Sequence, residues 1–360
     1  MENIIGKRIK RARIGAGLSL RELAKRVDKS HTAISNFEHG ELVPDSATLA
    51  DLADALGVRT EFFLRTTQVG LGEPDFRKHP SLPKKERNRI EARVLEKAER
   101  YVELLQLFPQ APVGYFELPN GLPGQVNSLD ETEEVAEAVR AAWELGLNPI
   151  PNMVDELEAH GIMVLLLDYD AGKKFDGLAA RVDDKPVIVL GASWPGDRQR
   201  FTAAHELGHI ALADRLDDAV DIEDACNRFA GAFLAPRETV FTSLGRNRKW
   251  IEPRELHVLK HEFGLSMNSW LHRARELEVI NMATFNKLRR HFSEHGWRES
   301  EPGEPYPRET PRLFEQLVYR GLGEQLFGES KAAELMAKSV PEFHYERVLG
   351  DAEDAGRTRQ

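Results

Sequence analysis

The sequence predicts a mainly α protein with a small β-sheet, an α+β fold, and three observations carry that prediction. Apolar residues recur at steps of three and four through the first sixty-odd residues and again after Phe201. Three extended runs, "GIMVLLLDYD", "GLAARVDD" and "KPVIVLGA", crowd into residues 161–192 and nowhere else. Capping residues and glycines separate the periodic stretches, as they do between short helices. At 360 residues the chain is long for one core, so two or three domains are expected.

Composition narrows the class. With 41% hydrophobic and 30% charged residues the chain is ordinary globular material. A net charge of −10 excludes wholesale polyanion binding, so any nucleic-acid site must be local. The single cysteine, Cys226, excludes an internal disulfide and fits a reducing compartment. The longest purely apolar run, Ile162 to Leu167, is far short of the ~20 residues that span a bilayer. "MENIIGKRIKRAR" has no apolar signal-peptide core. A cytoplasmic protein with no membrane partner is expected.

The N-terminal elements follow in order. Ile4, Ile9, Ala12 and Ala16 mark a helix that Gly15 and Gly17 end. Ser19 then caps "LRELAKRV", with Glu22 three residues on completing a capping box. Ser30 opens "HTAISNFEHG", whose inward Ala33, Ile34 and Phe37 leave His31, Thr32, Ser35 and Asn36 facing out. Further helices are expected at 46–56 and 60–64. Helix, tight turn, helix with small polar residues displayed is the plan of a helix-turn-helix, whose second helix reads base edges in the major groove. About nine Lys and Arg against three acids between Met1 and Lys29 supply the local positive charge that phosphate contacts require.

The stretch "RIKRARIGAGLSLRELAKRVDKSHTAISNFEHGELVPDSATLADLADALGV" resembles the Cro/CI (XRE) family of helix-turn-helix domains over some sixty residues. The resemblance implies a double-stranded DNA operator as partner, with His31, Thr32, Ser35 and Asn36 as base-reading residues. It also implies an internal ion pair between Arg13 and Glu38. A protein–protein module on the same fold is the alternative. This domain is assigned to residues 1–67.

Residues 68–130 read as linker and connecting helix. Gln68 to Arg89 is polar and rich in Gly and Pro. A helix over 91–107 carries one apolar stripe, Val94, Ala98, Tyr101, Leu104 and Leu105, to be covered by the following domain or by a second copy. Residues 131–298 form the next domain. Helices are expected near 131–145 and 153–160. The three extended runs follow, the last two joined around Asp183-Asp184-Lys185 as a hairpin.

"FTAAHELGHIALAD" then brings the chemistry. Phe201, Ala204, His205, Gly208, His209 and Leu212 share one helical stripe, so both imidazoles should point inward. Side chains at i and i+4 stand one turn apart, close enough to share an ion at ~2.0–2.1 Å per bond. Glu206 lies about 100° around from His205, beside such an ion and able to hold a water as catalytic base. Gly208 costs a helix interior roughly 1 kcal/mol against alanine, which suits a place where another backbone comes close. Chance yields such an HExxH about 0.04 times in a chain of this composition. Three polar residues on an ordinary helix are the plain alternative.

A third ligand is needed, and the next helix, "DIEDACNRFAGAFLAP", supplies candidates. Ile222, Cys226, Phe229, Ala230 and Phe233 face inward and Glu223 sits at the edge of that stripe. Glu223 is the first choice for third ligand and Asp224 the second, with Asn227 orienting Glu223 or its neighbours. Pro186 to Leu190 could offer a strand edge to a peptide. For the oxyanion only Tyr169 and His160 suggest themselves. "HFSEH" at 291–295 fits a reversed zinc motif but falls at a polar helix end, and His257 and His261 have no glutamate placed to work on a water.

"RFTAAHELGHIAL" and "IEDACNRFAGAFLAP", with "AAWELGLNPIPNMVDELEAHGIMV" and "FDGLAARVDDKPVIVLG", resemble the ImmA/IrrE family of metallopeptidases, over roughly 131–236 and more loosely to about 280. The resemblance implies a zincin-like fold, His205, His209 and Glu223 as zinc ligands, and Glu206 as the base. Cys226 departs from the alanine frequent in the family, as an extra soft ligand, an oxidation-sensitive thiol or inert packing. Two imidazoles and a carboxylate also suit Mn2+ or Fe2+.

"LKHEFGLSMNSWLHRARELEVI" has a second helix-turn-helix rhythm, which in this family completes the peptidase fold. Residues 299–360 comprise a Pro/Glu-rich connector, a small helical subdomain and a tail expected to be disordered. Two functions compete. One is a DNA-tethered zinc endopeptidase that clips a repressor or antitoxin-type regulator, as members of the resembled family clip repressors. The other is a transcriptional regulator whose peptidase-like body serves as sensor or oligomerisation unit. DNA-binding units of this kind often pair, so a homodimer is a candidate assembly.

Overall fold

The computed structural model describes residues 4–67, 69–72, 83–168 and 175–349. The polar stretch from Gln68 lies partly outside that set; Tyr169 and the tail from residue 350 lie wholly outside it. The chain divides into two compact units, one of residues 1–72, 76–113 and 312–360, the other of 73–75 and 114–311.

The first unit opens with α1 (Ile4–Gly15), α2 (Leu20–Arg26), α3 (His31–His39), α4 (Ser46–Leu56) and α5 (Glu61–Leu64) around Ile9, Leu23, Ile34, Leu52 and Phe63. The capping box before α2 is formed: Glu22 N donates to Ser19 Oγ at 3.2 Å and Ser19 N to Glu22 Oε2 at 2.7 Å. Ser30 Oγ accepts from Ala33 N at 3.0 Å and starts α3; Gly40, at φ 74°, ends it in a conformation that a side chain would strain. Arg13 holds Glu38 through two bonds, 2.6 and 2.9 Å, joining α1 to α3 as the resemblance implies.

Helix α6 (Lys84–Gln106) starts earlier than the sequence predicts. Its apolar stripe packs within its own unit, partly against α1 and partly, through Tyr101, Leu104 and Leu105, against the last helices of the chain. The reason is electrostatic as well as apolar. Glu99, fully buried on α6, receives Arg8 at 2.9 Å and Arg11 at 2.5 Å, and a buried carboxylate requires such partners.

The second unit carries α7 (Leu129–Ala142), α8 (Met153–Ala159), β1 (Met163–Leu167), β2 (Gly177–Val182) and β3 (Lys185–Gly191). After these come α9 (Gly196–Leu212), α10 (Ile222–Leu234), α11 (Arg237–Leu244), α12 (Pro253–Phe263), α13 (Met267–Glu276) and α14 (Met282–Glu294). The sheet runs β1-β3-β2, with Met163 paired in parallel and Ala180 antiparallel to Val187. The hairpin turns on two residues, Asp183 and Asp184, with Asp183 left-handed at φ 51°. One expectation is overturned here. β3 is the central strand, hydrogen-bonded on both sides, so Pro186 to Leu190 has no edge to offer; the edges belong to β1 and β2. One core, including Val139, Phe229, Phe233, Trp270 and Phe292, runs through the helices. Within it Glu133 of α7 gathers Arg273 of α13, Arg228 of α10 at 3.1 Å and Arg237 at 3.0 Å.

The Pro/Glu-rich segment before residue 312 is bound along this unit. Glu301 accepts from Met267 N at 3.1 Å and Asn268 N at 3.0 Å, capping α13, and from Lys260 at 2.9 Å. Glu309 pairs with buried Arg200 and accepts from Val154 N at 3.0 Å. Gly196 N, at the start of α9, donates to Tyr306 O at 3.1 Å; a Cβ there would lie 1.8 Å from Pro307 O, so only glycine fits. Beyond it α15 (Leu313–Gly323), α16 (Glu329–Leu335) and α17 (Val340–Arg347) join the first unit. They close on α6 around Leu104, Phe108, Leu317, Val318, Leu335 and Phe343. Among the described residues no helix is long and apolar enough to cross a membrane.

Candidate metal centre and DNA-reading helix

Helix α9 runs through the core and is buried on nearly every side, so the single inward stripe read from sequence is only part of its burial. Leu207 and Ala211 are as buried as the histidine face. His209 and Glu206 are buried, and His205 stands slightly more open. The neighbour at Gly208 is a side chain and not the backbone expected: a Cβ there would meet Phe229 of α10 at 3.1–3.3 Å.

α10 delivers the third group. Asp221 caps it, accepting from Glu223 N at 2.9 Å and Asp224 N at 3.0 Å, which fixes Glu223 in the first turn. From there Glu223 Oε2 lies 3.4 Å from His205 Nε2, and Oε1 lies 3.5 Å from His209 Nε2. The two Nε2 atoms are 3.0 Å apart. Asp224 is exposed and outside the trio, and among the described residues no other group of His, Cys, Asp and Glu gathers in this way.

The other ring nitrogens are engaged. His205 Nδ1 lies 3.0 Å from Asn227 Oδ1, and His209 Nδ1 lies 3.1 Å from Cys226 Sγ. An amide oxygen only accepts, so His205 Nδ1–H is the donor in that bond. The sequence offered Asn227 as a partner for Glu223; the structure gives it to His205. Cys226 sits behind His209, on the ring nitrogen that the trio does not use.

This donor set fits a divalent cation. Tetrahedral ligands at ~2.0–2.1 Å from one ion stand about 3.3 Å from each other, and the three separations here are 3.0, 3.4 and 3.5 Å. Two imidazoles and a carboxylate are the ligand types of such a site, with an oriented partner behind each imidazole.

The remaining candidates go elsewhere. His160 stacks on Trp143 with ring centroids 4.0 Å apart, its Nδ1 at 2.9 Å from Glu156 O. Tyr169 lies outside the described residues. His291 and His295 end α14 among each other and Trp297, and His257 and His261 pair ring to ring at 4.7 Å.

In the first unit, α3 exposes His31 and Thr32 and, in part, Ser35 and Asn36, while Ile34 and Phe37 are buried. With its amide turned to donate, Asn36 reaches Glu41 at 3.2 Å and Thr32 O at 3.1 Å. His39, missed in the sequence, stands one turn beyond Ser35 on the same face; its Nδ1 is 2.8 Å from Ser35 O. Only its helical spacing from Thr32, Ser35 and Asn36 could have signalled it. Three of the nine N-terminal cations, Arg8, Arg11 and Arg13, serve internal carboxylates. Lys7, Lys10, Arg21, Lys25, Arg26 and Lys29 are the exposed ones.

Known proteins show the same two parts. Residues 9–63 match the helix-turn-helix family and residues 157–275 the IrrE N-terminal-like domain, a peptidase family. The chain therefore carries a DNA-binding helix-turn-helix domain of the Cro/CI type followed by an IrrE/ImmA-like peptidase domain. Among individual proteins it is similar to the HTH-type transcriptional regulator ImmR of Bacillus subtilis (strain 168), 34% identical over 65 residues. That match covers 18% of this chain and 51% of the regulator, so the chain spans about half the length of the curated relative it matches.

Proposed function

We propose that this is a DNA-tethered, zinc-dependent endopeptidase of the cytoplasm that cleaves a repressor or antitoxin-type regulator of transcription. The observation that carries the reading is the convergence of His205, His209 and Glu223 from two helices, with the buried Glu206 next to His205. His205, His209 and Glu223 would hold the ion. When bound it supplies Lewis acidity towards the scissile carbonyl and draws the pKa of a coordinated water towards ~7. Asn227 and Cys226 hold the two rings so that their Nε2 atoms meet. Glu206, as base, accepts the proton of the attacking water and returns it to the leaving amine. Zinc suits the donor set, and metal analysis of the purified chain separates it from Mn2+ and Fe2+.

The helix-turn-helix gives the peptidase an address. The exposed cations follow phosphates of a double-stranded operator, while His31, Thr32, Ser35 and Asn36 reach base edges. A substrate bound at the same or a neighbouring operator would then be met at high effective concentration without a tighter active site. Pairing of two copies on a symmetric operator fits such an arrangement.

Replacing Glu206 by Gln tests this. The variant should keep metal and DNA binding, lose hydrolysis, and leave a candidate regulator uncut in cells where the wild type cuts it. The similarity to a transcriptional regulator favours the competing reading, in which the second unit is a sensor or oligomerisation body. Identical behaviour of both forms towards the candidate regulator would decide for that reading.

A further inference from the structure

We propose that the cleft beside the histidine–glutamate trio is a substrate subsite that receives an acidic side chain next to the scissile bond, with Arg275 as its anchor; this rests on the peptidase reading above. The cleft has a volume of about 440 Å3 and lies between α9, α10 and α13. Clefts that hold small groups run ~300–1,000 Å3, so a side chain and part of its backbone can enter.

Two walls tie the cleft to the trio. Phe201 stands one turn before His205 on α9, and Asn227 is the hydrogen-bond partner of His205. An occupant of the cleft therefore lies against Asn227, which holds that imidazole.

Charge decides what the occupant is. Three arginines line the cleft. Arg228 is occupied by Asp130 at 2.9 Å, Glu133 at 3.1 Å and Glu276 at 3.5 Å, and Arg273 by Glu133 and by Glu276 at 3.0 Å. Among the described residues no carboxylate pairs with Arg275; its guanidinium stands 5.8 Å from the Phe285 ring. His272 shares the cleft, and burial, then Arg289, Arg275 and Arg298, push its pKa below the ordinary value. The same three cations make that end of the cleft attractive to a carboxylate. Asp224 and Glu276 also line the cleft; Asp224 is exposed and screened by solvent and Glu276 is taken up by Arg228 and Arg273, whereas Arg275 is half-buried. A planar guanidinium binds a carboxylate through two parallel bonds, which fixes position as well as charge.

The test uses the full chain. The metal-loaded protein is incubated with a random peptide pool and the products are sequenced by mass spectrometry. Asp and Glu should be enriched at one position within three residues of the cut. Arg275→Glu, with unchanged metal content and circular dichroism, should move that position to Lys and Arg by tenfold or more. Cleavage with no acidic enrichment overturns the subsite and leaves the peptidase reading standing. If nothing is cut, binding judges the cleft alone. A labelled Glu-rich peptide pool should then bind the Glu206→Gln protein at least tenfold more tightly than its Gln-rich counterpart, and equal binding overturns the proposal.

Discussion

Asn227 Oδ1 lies 3.0 Å from His205 Nδ1, on the ring nitrogen that the trio leaves over. The bond sets the tautomer and the tilt of an imidazole proposed to hold an ion. Asn227→Ala should therefore weaken metal binding about 10–100-fold, measured by competition with a chromogenic chelator. Cys226→Ala should weaken it less, because sulfur is the poorer acceptor. An Asn227→Ala protein with wild-type affinity would show that the ring needs no such support.

Glu133 makes the second unit acid-sensitive. Burial by itself raises its pKa, but Arg273, then Arg228 and Arg237, outweigh burial and hold the carboxyl below its ordinary 4.5. A group whose pKa is lowered by folding stabilises the protein above its unfolded value and loses that contribution as pH falls through the folded one. Unfolding followed by circular dichroism should show stability declining below about pH 4.5. Glu133→Gln should lower stability at pH 7 and flatten this acid limb. A limb unchanged by the substitution would assign it to other carboxylates.

The segment before residue 312 predicts a packing defect. A methyl group on Gly196 would meet Pro307 O at 1.8 Å, and this neighbour is backbone that cannot rotate away. Gly196→Ala should cost about 1–3 kcal/mol, the range for overpacked sites, and displace the segment from the start of α9. Urea unfolding and proteolytic cutting between residues 300 and 311 read both effects. A neutral result would mean that the segment is not held there in solution.

Arg13 and Glu38 are nearly buried, their side chains 12% and 3% exposed. Removing one partner leaves the other charge without compensation, so Glu38→Ala should destabilise by about 3 kcal/mol. Changing both to apolar residues of similar size should recover most of that loss. Thermal unfolding of these two variants and of Arg13→Ala settles it, and additive losses would argue against coupling.

On DNA the two kinds of contact separate. Asn36→Ala should reduce binding to a selected operator while sparing random sequence, by about 1–3 kcal/mol for a bidentate base contact. Arg21→Ala should weaken both alike and lower the salt-dependence slope by about 1. Gel shifts across a salt series check both, and specific binding unaffected by Asn36→Ala would remove α3 from the base-reading role.

Much of this was visible in the chain as written, because it depends on neighbours close in sequence. The box of Ser19 and Glu22, the cap at Ser30 and the hairpin at Asp183 are each closed within a few residues. The outward set on α3 follows from the same periodicity. Other expectations failed for want of distant information. The strand Pro186 to Leu190 looks no different as an edge or a centre; β1, some twenty residues earlier, makes it a centre. Asn227 sits one turn from Glu223, yet its amide turns to another helix.

By itself, the sequence determined the caps at Ser19 and Ser30 and the pairing of His205 with His209, since a cap closes within a few residues and one helical turn brings i and i+4 together whatever surrounds them. The tertiary structure alone decided that Glu223 reaches both imidazoles, that α6 and the last three helices join the first unit, and that Arg8 and Arg11 serve Glu99 instead of phosphate. Those outcomes turn on where a buried charge finds its counter-charge and which apolar faces meet. Residues 91 positions apart, as Arg8 and Glu99 are, settle such matters only when the whole chain has closed.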